Sequence, residues 1–382
     1  MKKQILFLLL IVVMLCGCSV PKQQESLVKE GDYRTIAYVT VPASENWRWI
    51  GEEGETITSA VDTRYVTHIN FAFGMIEAYQ YDPGYDGCPL MSGSVASKEA
   101  YKDPGDGNYH YKATVNGWIE EMKSKVNGEP YLHALVALKE QKPELNVLLS
   151  IGGWDSDGFC YMAQTPKGRN EFIESCMDLI DEFHLDGIDL DWEYPNNGGW
   201  GTIASCPTCE KDGLALLKEF RAKLDERYPD THKLLTIASG IPWVDEEGLE
   251  VLDYMNVMCY DFDSGSGESQ APMSYVKDNM KKHIHKVGDT PEHRAKLNLG
   301  IPFYNEGGPY LVPYYKEWDG YVDASPKIAQ EKMNWVKENG YGGGFYWAYS
   351  MDKFEQDVEN PNSPEVKELQ RTVYETLNGE VK

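Results

Sequence analysis

Eight short apolar runs recur along the 382-residue chain and alternate with segments of helical character. Their length and their β-branched and aromatic residues are typical of buried strands. The runs cover residues 35–41, 66–73, 146–151, 187–192, 234–238, 255–260, 297–301 and 344–348. Eight strands separated by helices are what a (β/α)8 barrel requires, and a doubly wound sheet would call for a glycine-rich phosphate loop that does not follow the first run. We therefore predict an α/β fold, a (β/α)8 TIM barrel.

Helical patterns between the runs support this architecture. They cover residues 166–183, 211–227, 275–287 and 326–339. Three prolines lie where a first-turn proline is tolerated, each after a hydroxyl residue that could cap a helix: Pro166 after Thr165, Pro326 after Ser325 and Pro364 after Ser363. The connection after the second strand, residues 75–126, is unusually long, and its tyrosines Tyr79, Tyr81, Tyr85 and Tyr109 would suit either the rim of a cleft or simple surface decoration.

Charge and composition exclude several partners. The formal net charge of −25 argues against binding to nucleic acid or to an anionic membrane surface, whereas a neutral polymer is compatible with it. The 25 tyrosines suit carbohydrate surfaces, although ordinary packing is an alternative explanation. We expect no cofactor and no metal, because Cys206 and Cys209 have no second ligand pair at zinc-site spacing; they are predicted to form a local disulfide or to remain thiols.

The N-terminus predicts export. Lys2 and Lys3 precede an apolar run that ends in small residues, which is the pattern of a signal peptide. Its ending, LCGC, resembles a bacterial lipobox, and this resemblance implies a lipoprotein signal peptide over residues 1–17 and lipid attachment at Cys18. Residues 18–33 are predicted to be a polar tether and residues 34–382 the catalytic barrel. We therefore expect an exported, membrane-anchored lipoprotein whose contact with the membrane is the lipid alone.

The fourth run, within the stretch LDGIDLDWEYP, carries a carboxylate at every second position. Side chains alternate along a strand, so Asp189, Asp191 and Glu193 share one face, whereas Ile188, Leu190 and Trp192 face the helices. Three such side chains would line the barrel interior up to the carboxyl end of the strands, where active sites of this fold lie. Carboxylates that crowd together have displaced pKa values, as a general acid working near neutral pH requires. An ion-paired strand end is the alternative, but no Lys or Arg lies nearby in sequence.

DGIDLDWEYP resembles the DGxDxDxE signature of glycoside hydrolase family 18 in its chitinase form. Three further stretches resemble motifs of that family in the same order: LLSIGGW, MCYDF and GGFYWAYS. The resemblance implies that Glu193 is the general acid, that Asp191 orients the 2-acetamido group of the substrate, that Asp189 shares its proton and that Tyr260 holds the acetamido carbonyl. It further implies supporting roles for Ser150 and Asp261 and a platform under the reacting sugar at Trp347; Trp154 and Phe73 are predicted to contact substrate as well.

The resemblance implies a chitinase that hydrolyses β-1,4 bonds between N-acetylglucosamine units by a substrate-assisted, retaining mechanism, and a monomer. Departures from the family pattern concern the binding subsites. No Trp follows MCYDF, Asn305 and Glu306 replace a common Gly-Arg pair, and residues 304–341 are too few for the α+β domain that many relatives insert. An endo-β-N-acetylglucosaminidase acting on N-glycans or peptidoglycan therefore stays an alternative, as does a non-catalytic sugar-binding relative, although Glu193 is present.

Overall fold

The computed structural model describes residues 26–40, 61–80, 109–119, 124–127, 129–154, 158–195, 208–261, 271–305, 312–317 and 322–381. Its strands are β1 (Arg34–Thr40), β2 (His68–Gln80), β3 (Tyr109–Thr114), β4 (Asn116–Ile119), β5 (Ser124–Asn127), β6 (Asn146–Gly152), β7 (Gly187–Asp191), β8 (Leu234–Ser239), β9 (Tyr254–Val257), β10 (Leu297–Pro302), β11 (Tyr304–Asn305), β12 (Val312–Pro313) and β13 (Gly343–Trp347). Its α-helices are α1 (Glu129–Ala137), α2 (Phe159–Gln164), α3 (Pro166–Phe183), α4 (Cys209–Arg227), α5 (Glu246–Val251), α6 (Met273–Val287), α7 (Pro291–Ala295), α8 (Pro326–Glu338) and α9 (Glu368–Asn378).

Eight parallel strands close into a barrel, as predicted. They follow one another in the order β1, β2, β6, β7, β8, β9, β10 and β13, and β13 pairs with β1 to complete the ring. All eight predicted runs supply a strand, but the sixth is shorter than expected. Residues 258–260 leave the ladder after β9, and the carbonyl of Met258 accepts a hydrogen bond of 3.0 Å from the side chain of Asn279 on α6.

Two separate apolar clusters fill the molecule, one outside the strands and one inside the barrel. The outer cluster contains the helix-facing side chains, among them Ile188 and Leu190 of β7. The inner cluster is small and rich in tyrosine, and contains Ile36, Tyr38, Ala72, Ala238, Tyr254, Met258, Tyr260, Tyr304 and Phe345. Because most strands turn alternate side chains inward, the interior is a packed core in which polar groups must find partners.

Two of the three predicted caps begin a helix. The hydroxyl of Thr165 accepts from the N–H of Gly168 at 3.0 Å at the start of α3, and Ser325 accepts from Ile328 at 3.2 Å at the start of α8. The prediction for Pro364 was wrong: residues 364–367 form a turn, and α9 begins later, at Glu368. Ser363 caps this turn by accepting from the N–H of Glu365 at 3.2 Å.

The connection after the second strand is long, as predicted, but its described parts are strands. β2 continues beyond the barrel and pairs antiparallel with β3, and β4 pairs with β5. The N–H of Ala113 on β3 donates to Ser175 on α3 at 2.7 Å, so β3 lies against the helical layer. Tyr81 and Tyr85 lie outside the described residues, as do the side chains of Tyr79 and Tyr109.

Other sequence predictions fall partly outside the described residues. The signal peptide, Cys18 and the first half of the tether precede residue 26, and Cys206 lies in an undescribed segment. Cys209 is buried at the start of α4, with its Sγ 2.9 Å from the Sγ of Cys160 on α2. In the described part of the chain, no helix combines the length and the apolar character of a membrane span. The described part of residues 304–341 holds β11, β12 and α8, and no inserted α+β domain.

Candidate active site

β7 carries the carboxylates on the face that the alternation predicts. Asp189 and Asp191 are buried inside the barrel, with 0% and 3% of their surface exposed, and Glu193 follows just beyond the strand. On the opposite face, Trp192 stacks on Phe159 of α2 with ring centroids 5.2 Å apart and ring planes 9° from parallel. The helix layer therefore fixes the strand that presents the carboxylates.

Three hydroxyl groups from three other barrel strands converge on Asp189. Tyr38 on β1 and Ser150 on β6 each donate to Oδ2 at 2.8 Å, and Thr236 on β8 donates to Oδ1 at 2.5 Å. Burial raises the pKa of Asp189 above its ordinary value, and these hydroxyls oppose that rise because they stabilise the carboxylate. Asp189 is therefore the carboxylate of the trio with the most hydroxyl support.

Asp191 has the contrasting environment. Burial raises its pKa well above the ordinary value, and the nearby charges of Glu193 and Asp189 and a hydrogen bond shared with Glu193 raise it further. Its Oδ1 is buried and has no hydrogen-bond partner within the described residues. Burial and the two neighbouring carboxyls thus disfavour the charged form of Asp191, and the hydrogen-bonding capacity of its Oδ1 is unused within the described residues.

Glu193 is approached by the next residue in the chain. The hydroxyl of Tyr194 hydrogen-bonds to the Glu193 carboxyl, and burial followed by the charge of Glu193 raises the Tyr194 pKa. Gly240, at the end of β8, makes room for this hydroxyl, because a Cβ at that position would lie 2.4 Å from the Tyr194 oxygen. Tyr194 also makes an edge contact with Trp154, with centroids 6.3 Å apart; Trp154 is 46% exposed, as a residue meeting a ligand would be.

An aromatic floor closes the barrel mouth beside the carboxylates. Trp347 stacks on Phe73 with centroids 5.3 Å apart and planes 22° from parallel, and it meets Tyr38 edge-on at 6.1 Å. The peptide bonds Ala72–Phe73, Glu193–Tyr194 and Trp347–Ala348 are all cis. Trp347 on β13 and Phe73 on β2, both predicted to contact substrate, therefore form one surface that a sugar ring could lie on.

Tyr260 and Asp261 lie where the chain leaves β9. Tyr260 packs edge-on against Tyr304 and Phe345, and burial and the charge of Asp191 raise its pKa well above the ordinary value, so the phenol stays protonated and can donate. Asp261 is exposed, with φ = 57°, and accepts a hydrogen bond of 2.5 Å from the hydroxyl of Tyr304. Both residues thus border the interior that holds Asp191.

The two glycines of LLSIGGW are required by close approach of the backbone. Gly152 lies opposite Asp191 in the pairing of β6 with β7, and a Cβ there would lie 2.1 Å from the carbonyl oxygen of Asp191. A Cβ on Gly153 would lie 2.7 Å from the ring of Phe73. Both glycines have positive φ angles, which other residues rarely adopt. This motif therefore lets the carboxylate strand and the aromatic floor meet.

Sequence reasoning missed four residues that contact the predicted site: Tyr38, Tyr194, Thr236 and Tyr304. Each lies in or near a predicted strand. Alternation of side chains along residues 35–41 places Tyr38 on the inward face of that strand, and sequence reasoning could have used this signal. Asn305, in contrast, has a structural role: its side-chain oxygen accepts the N–H groups of Asp323 and Ala324 at 2.8 and 3.0 Å. Within the described ranges no cluster of His, Cys, Asp and Glu could hold a metal ion.

A buried carboxyl with a raised pKa, a second carboxyl held by three hydroxyls, a third at the barrel mouth and a tryptophan floor together make a site for acid–base chemistry on a sugar. The sequence model described as "Glycosyl hydrolases family 18" matches residues 34–309 of the chain. The chain belongs to this family.

Known chitinases resemble this family member over most of its length. Chitinase A1 of Niallia circulans is 30% identical over 298 residues, 69% of this chain and 41% of that protein. Chitinase C of Streptomyces lividans is 25% identical over 386 residues, 84% of this chain and 58% of that protein, so the chain spans about half the length of these two relatives. Among solved structures, a chitinase from Bacillus thuringiensis has the same fold, with a TM-score of 0.64 at 19% identity over 91% of this chain and 70% of that one.

Proposed function

We propose that this family member hydrolyses β-1,4 bonds between N-acetylglucosamine units with retention of anomeric configuration, as a monomer that needs no cofactor. The observation that carries the proposal is the environment of Asp191, which is buried, shares a hydrogen bond with Glu193 and has an Oδ1 that is unpartnered within the described residues. An acetamido N–H would satisfy that oxygen, and the phenol of Tyr260 would donate to the acetamido carbonyl.

In the proposed mechanism the substrate supplies the nucleophile. Glu193 transfers its proton to the glycosidic oxygen, and the bond from that oxygen to the anomeric carbon breaks while the acetamido oxygen of the same sugar attacks the carbon. The resulting oxazolinium ion is positively charged, and Asp191 and Asp189 stabilise that charge. Water then attacks the anomeric carbon, gives its proton to the Glu193 carboxylate and reopens the ring. Two inversions at one carbon give net retention.

Product stereochemistry tests this mechanism directly. Chitin oligomers should give β-anomers in the first minutes of hydrolysis, as measured by proton NMR before mutarotation. Partly deacetylated chitosan should give new reducing ends that are all N-acetylglucosamine, because a free amine cannot close the oxazolinium ring. Initial α-product, or glucosamine at new reducing ends, would falsify the mechanism even if chitin is cleaved.

A second substrate class is favoured by the departures in the binding subsites. Trp154 is largely exposed, and the Trp that often follows MCYDF in the family is replaced by a short polar sequence. A more open groove would suit cleavage next to N-acetylglucosamine in an N-glycan or in peptidoglycan. Mass spectrometry of products from chitin oligomers and a high-mannose glycopeptide, digested side by side, decides between the two: chitin should be the better substrate if the first proposal holds.

The N-terminal sequence supports a further proposal, that the mature chain begins at a lipid-modified Cys18 and is anchored outside the cytoplasm. The Lys-rich start and the LCGC sequence carry it. Cell fractionation should find the wild type in membranes. Cys18→Ser should be found either in the soluble fraction or as a precursor that keeps its signal peptide. A wild-type protein released into the medium without lipid would contradict the anchor.

A further inference from the structure

Four polar side chains form a continuous hydrogen-bonded string inside the barrel, beneath the carboxylates. Arg34, the first residue of β1, donates through Nε to Oδ1 of Asn298 on β10 at 2.9 Å. Nδ2 of Asn298 donates to Oδ1 of Asn256 on β9 at 2.9 Å, and Nδ2 of Asn256 donates to the hydroxyl oxygen of Tyr38 at 3.0 Å. Tyr38 in turn donates to Asp189.

The direction of this string is fixed at its arginine end. A guanidinium group can only donate, so Asn298 must turn its oxygen toward Arg34 and its NH₂ toward Asn256. The same constraint passes through Asn256, whose oxygen is occupied and whose NH₂ therefore meets Tyr38. The single hydroxyl proton of Tyr38 then has one remaining direction, toward Asp189. The order of donors follows from Arg34 alone.

The surroundings keep the string intact. Asn298, Asn256 and Asp189 are fully buried and Tyr38 is 2% exposed. These groups therefore have almost no access to water as an alternative hydrogen-bond partner. The Arg34 guanidinium lies over the ring of Tyr254 at 4.8 Å and donates to the carbonyl of Ala295. Gly342 is needed there, because a Cβ at that position would overlap the guanidinium.

We infer that Arg34, Asn298 and Asn256 act as positioning residues for catalysis: their one-way string compels the Tyr38 hydroxyl to donate to Asp189. Three hydroxyl donors keep Asp189 as a carboxylate, so the proton of the crowded trio stays with Asp191 and Glu193, as the proposed mechanism needs. The expected effect on rate rests on the proposed function. The orientation of the Tyr38 proton does not, and it can be measured separately.

Asn298→Asp tests the string far from the substrate. It exchanges one NH₂ for an oxygen and keeps an acceptor for Arg34, so the fold should tolerate it. The new oxygen faces Oδ1 of Asn256, and that amide should rotate to present its NH₂ to the new carboxylate and its oxygen to Tyr38. The Tyr38 hydroxyl would then donate to Asn256, and Asp189 would lose one of three donors. We expect kcat on an aryl chitooligoside to fall about three- to tenfold with KM nearly unchanged.

The same substitution in a Tyr38→Phe background is the matched control. Without the hydroxyl there is nothing to reorient, so Asn298→Asp should change kcat less than about twofold there. An equal loss in both backgrounds, from the added charge or from altered packing, would overturn the proposal. So would an unchanged kcat in the single variant.

Ultraviolet resonance Raman spectra give a readout that needs no activity. Subtracting the Tyr38→Phe spectrum isolates the ring modes of Tyr38, whose intensities distinguish a phenol that both donates and accepts from one that only donates. Asn298→Asp should move Tyr38 to the second class, and unchanged modes would refute the string even in an active enzyme. If the wild type does not cleave chitooligosides, the proposed function fails while this measurement still decides the string. If Asn298→Asp does not fold, Asn256→Asp, whose second oxygen would face Tyr38 as an acceptor, is judged by the same criteria.

Discussion

Gly240 illustrates how a residue without a side chain sets the position of a neighbouring group in the candidate site. Gly240→Ala would place a Cβ within 2.4 Å of the Tyr194 oxygen and push that hydroxyl away from Glu193. Losing a hydrogen bond to a charged group should lower kcat by roughly 10- to 100-fold. In a Tyr194→Phe background the oxygen is absent, so adding Gly240→Ala should cost little more. Additive losses in the double variant, measured by steady-state kinetics, would show that Gly240 acts through another contact.

Glu193 is the residue on which the proposed chemistry depends most. Glu193→Gln keeps the shape of the side chain and removes the transferable proton, so cleavage of natural oligomers should slow by at least about 10²–10⁴-fold. An aryl glycoside, whose leaving group needs less protonation, should suffer a smaller loss. Kinetics on both substrates test this, and equal losses on both would mean that Glu193 is not the general acid.

At the scale of elements, a buried arginine ties three helices together behind the site. Arg169 on α3 donates to both carboxylate oxygens of Glu219 on α4 at 2.7 and 2.8 Å, and to the carbonyl of Ala163 on α2 at 2.7 Å. Its side chain is 9% exposed, whereas Glu219 is 42% exposed. α2 carries Phe159, which stacks on Trp192, so this contact supports the back of β7.

The two partners of this contact should therefore contribute unequally to stability. Arg169→Met leaves the Ala163 carbonyl without its donor and should lower the free energy of unfolding by about 3 kcal/mol. Glu219→Gln retains an acceptor at a partly hydrated position and should cost less than about 1 kcal/mol. Urea denaturation of both variants measures the difference. Equal costs would show that the exposed carboxylate, and not the buried guanidinium, dominates.

At the scale of the whole molecule, the carboxylate trio should reduce stability as pH rises. Burial raises the folded-state pKa of Asp191 well above the ordinary value of 3.8. The folded state therefore holds a proton that the unfolded chain releases. The stability contributed by that proton is fully present below pH 3.8 and is lost as pH rises through the folded pKa, at about 1.4 kcal/mol per pH unit in between.

Asp191→Asn provides the matched comparison, since an amide is neutral at every pH. The variant should match the wild type near pH 4 and become increasingly more stable as pH rises toward the folded-state pKa of Asp191, although it hydrolyses substrate slowly. Chemical denaturation across this pH range reports the difference directly. A difference that does not change with pH would mean that Asp191 does not titrate differently in the folded and unfolded states.

The sequence by itself determined the eight barrel strands, four of the nine α-helices in the described part of the chain to within two residues at each end, and the face of β7 that carries the carboxylates. These features are local: alternation has a period of two, and caps and prolines act within one turn of a helix. The strand predicted over residues 255–260 was too long at its carboxyl end, because an apolar sequence does not reveal where a strand stops pairing with its neighbours. Pro364 was misassigned because a cap and a proline also suit a turn.

Only the tertiary structure decided which groups support the trio. The hydroxyls on Asp189 come from β1, β6 and β8, and the string from Arg34 joins β1, β10, β9 and β1 again before it reaches β7. Tyr38 and Asn256, which share a hydrogen bond, are 218 residues apart. Such partners depend on the register between strands and on closure of the barrel, which brings the first strand beside the last. No pattern within one segment encodes that closure, so these contacts could be found only in the folded molecule.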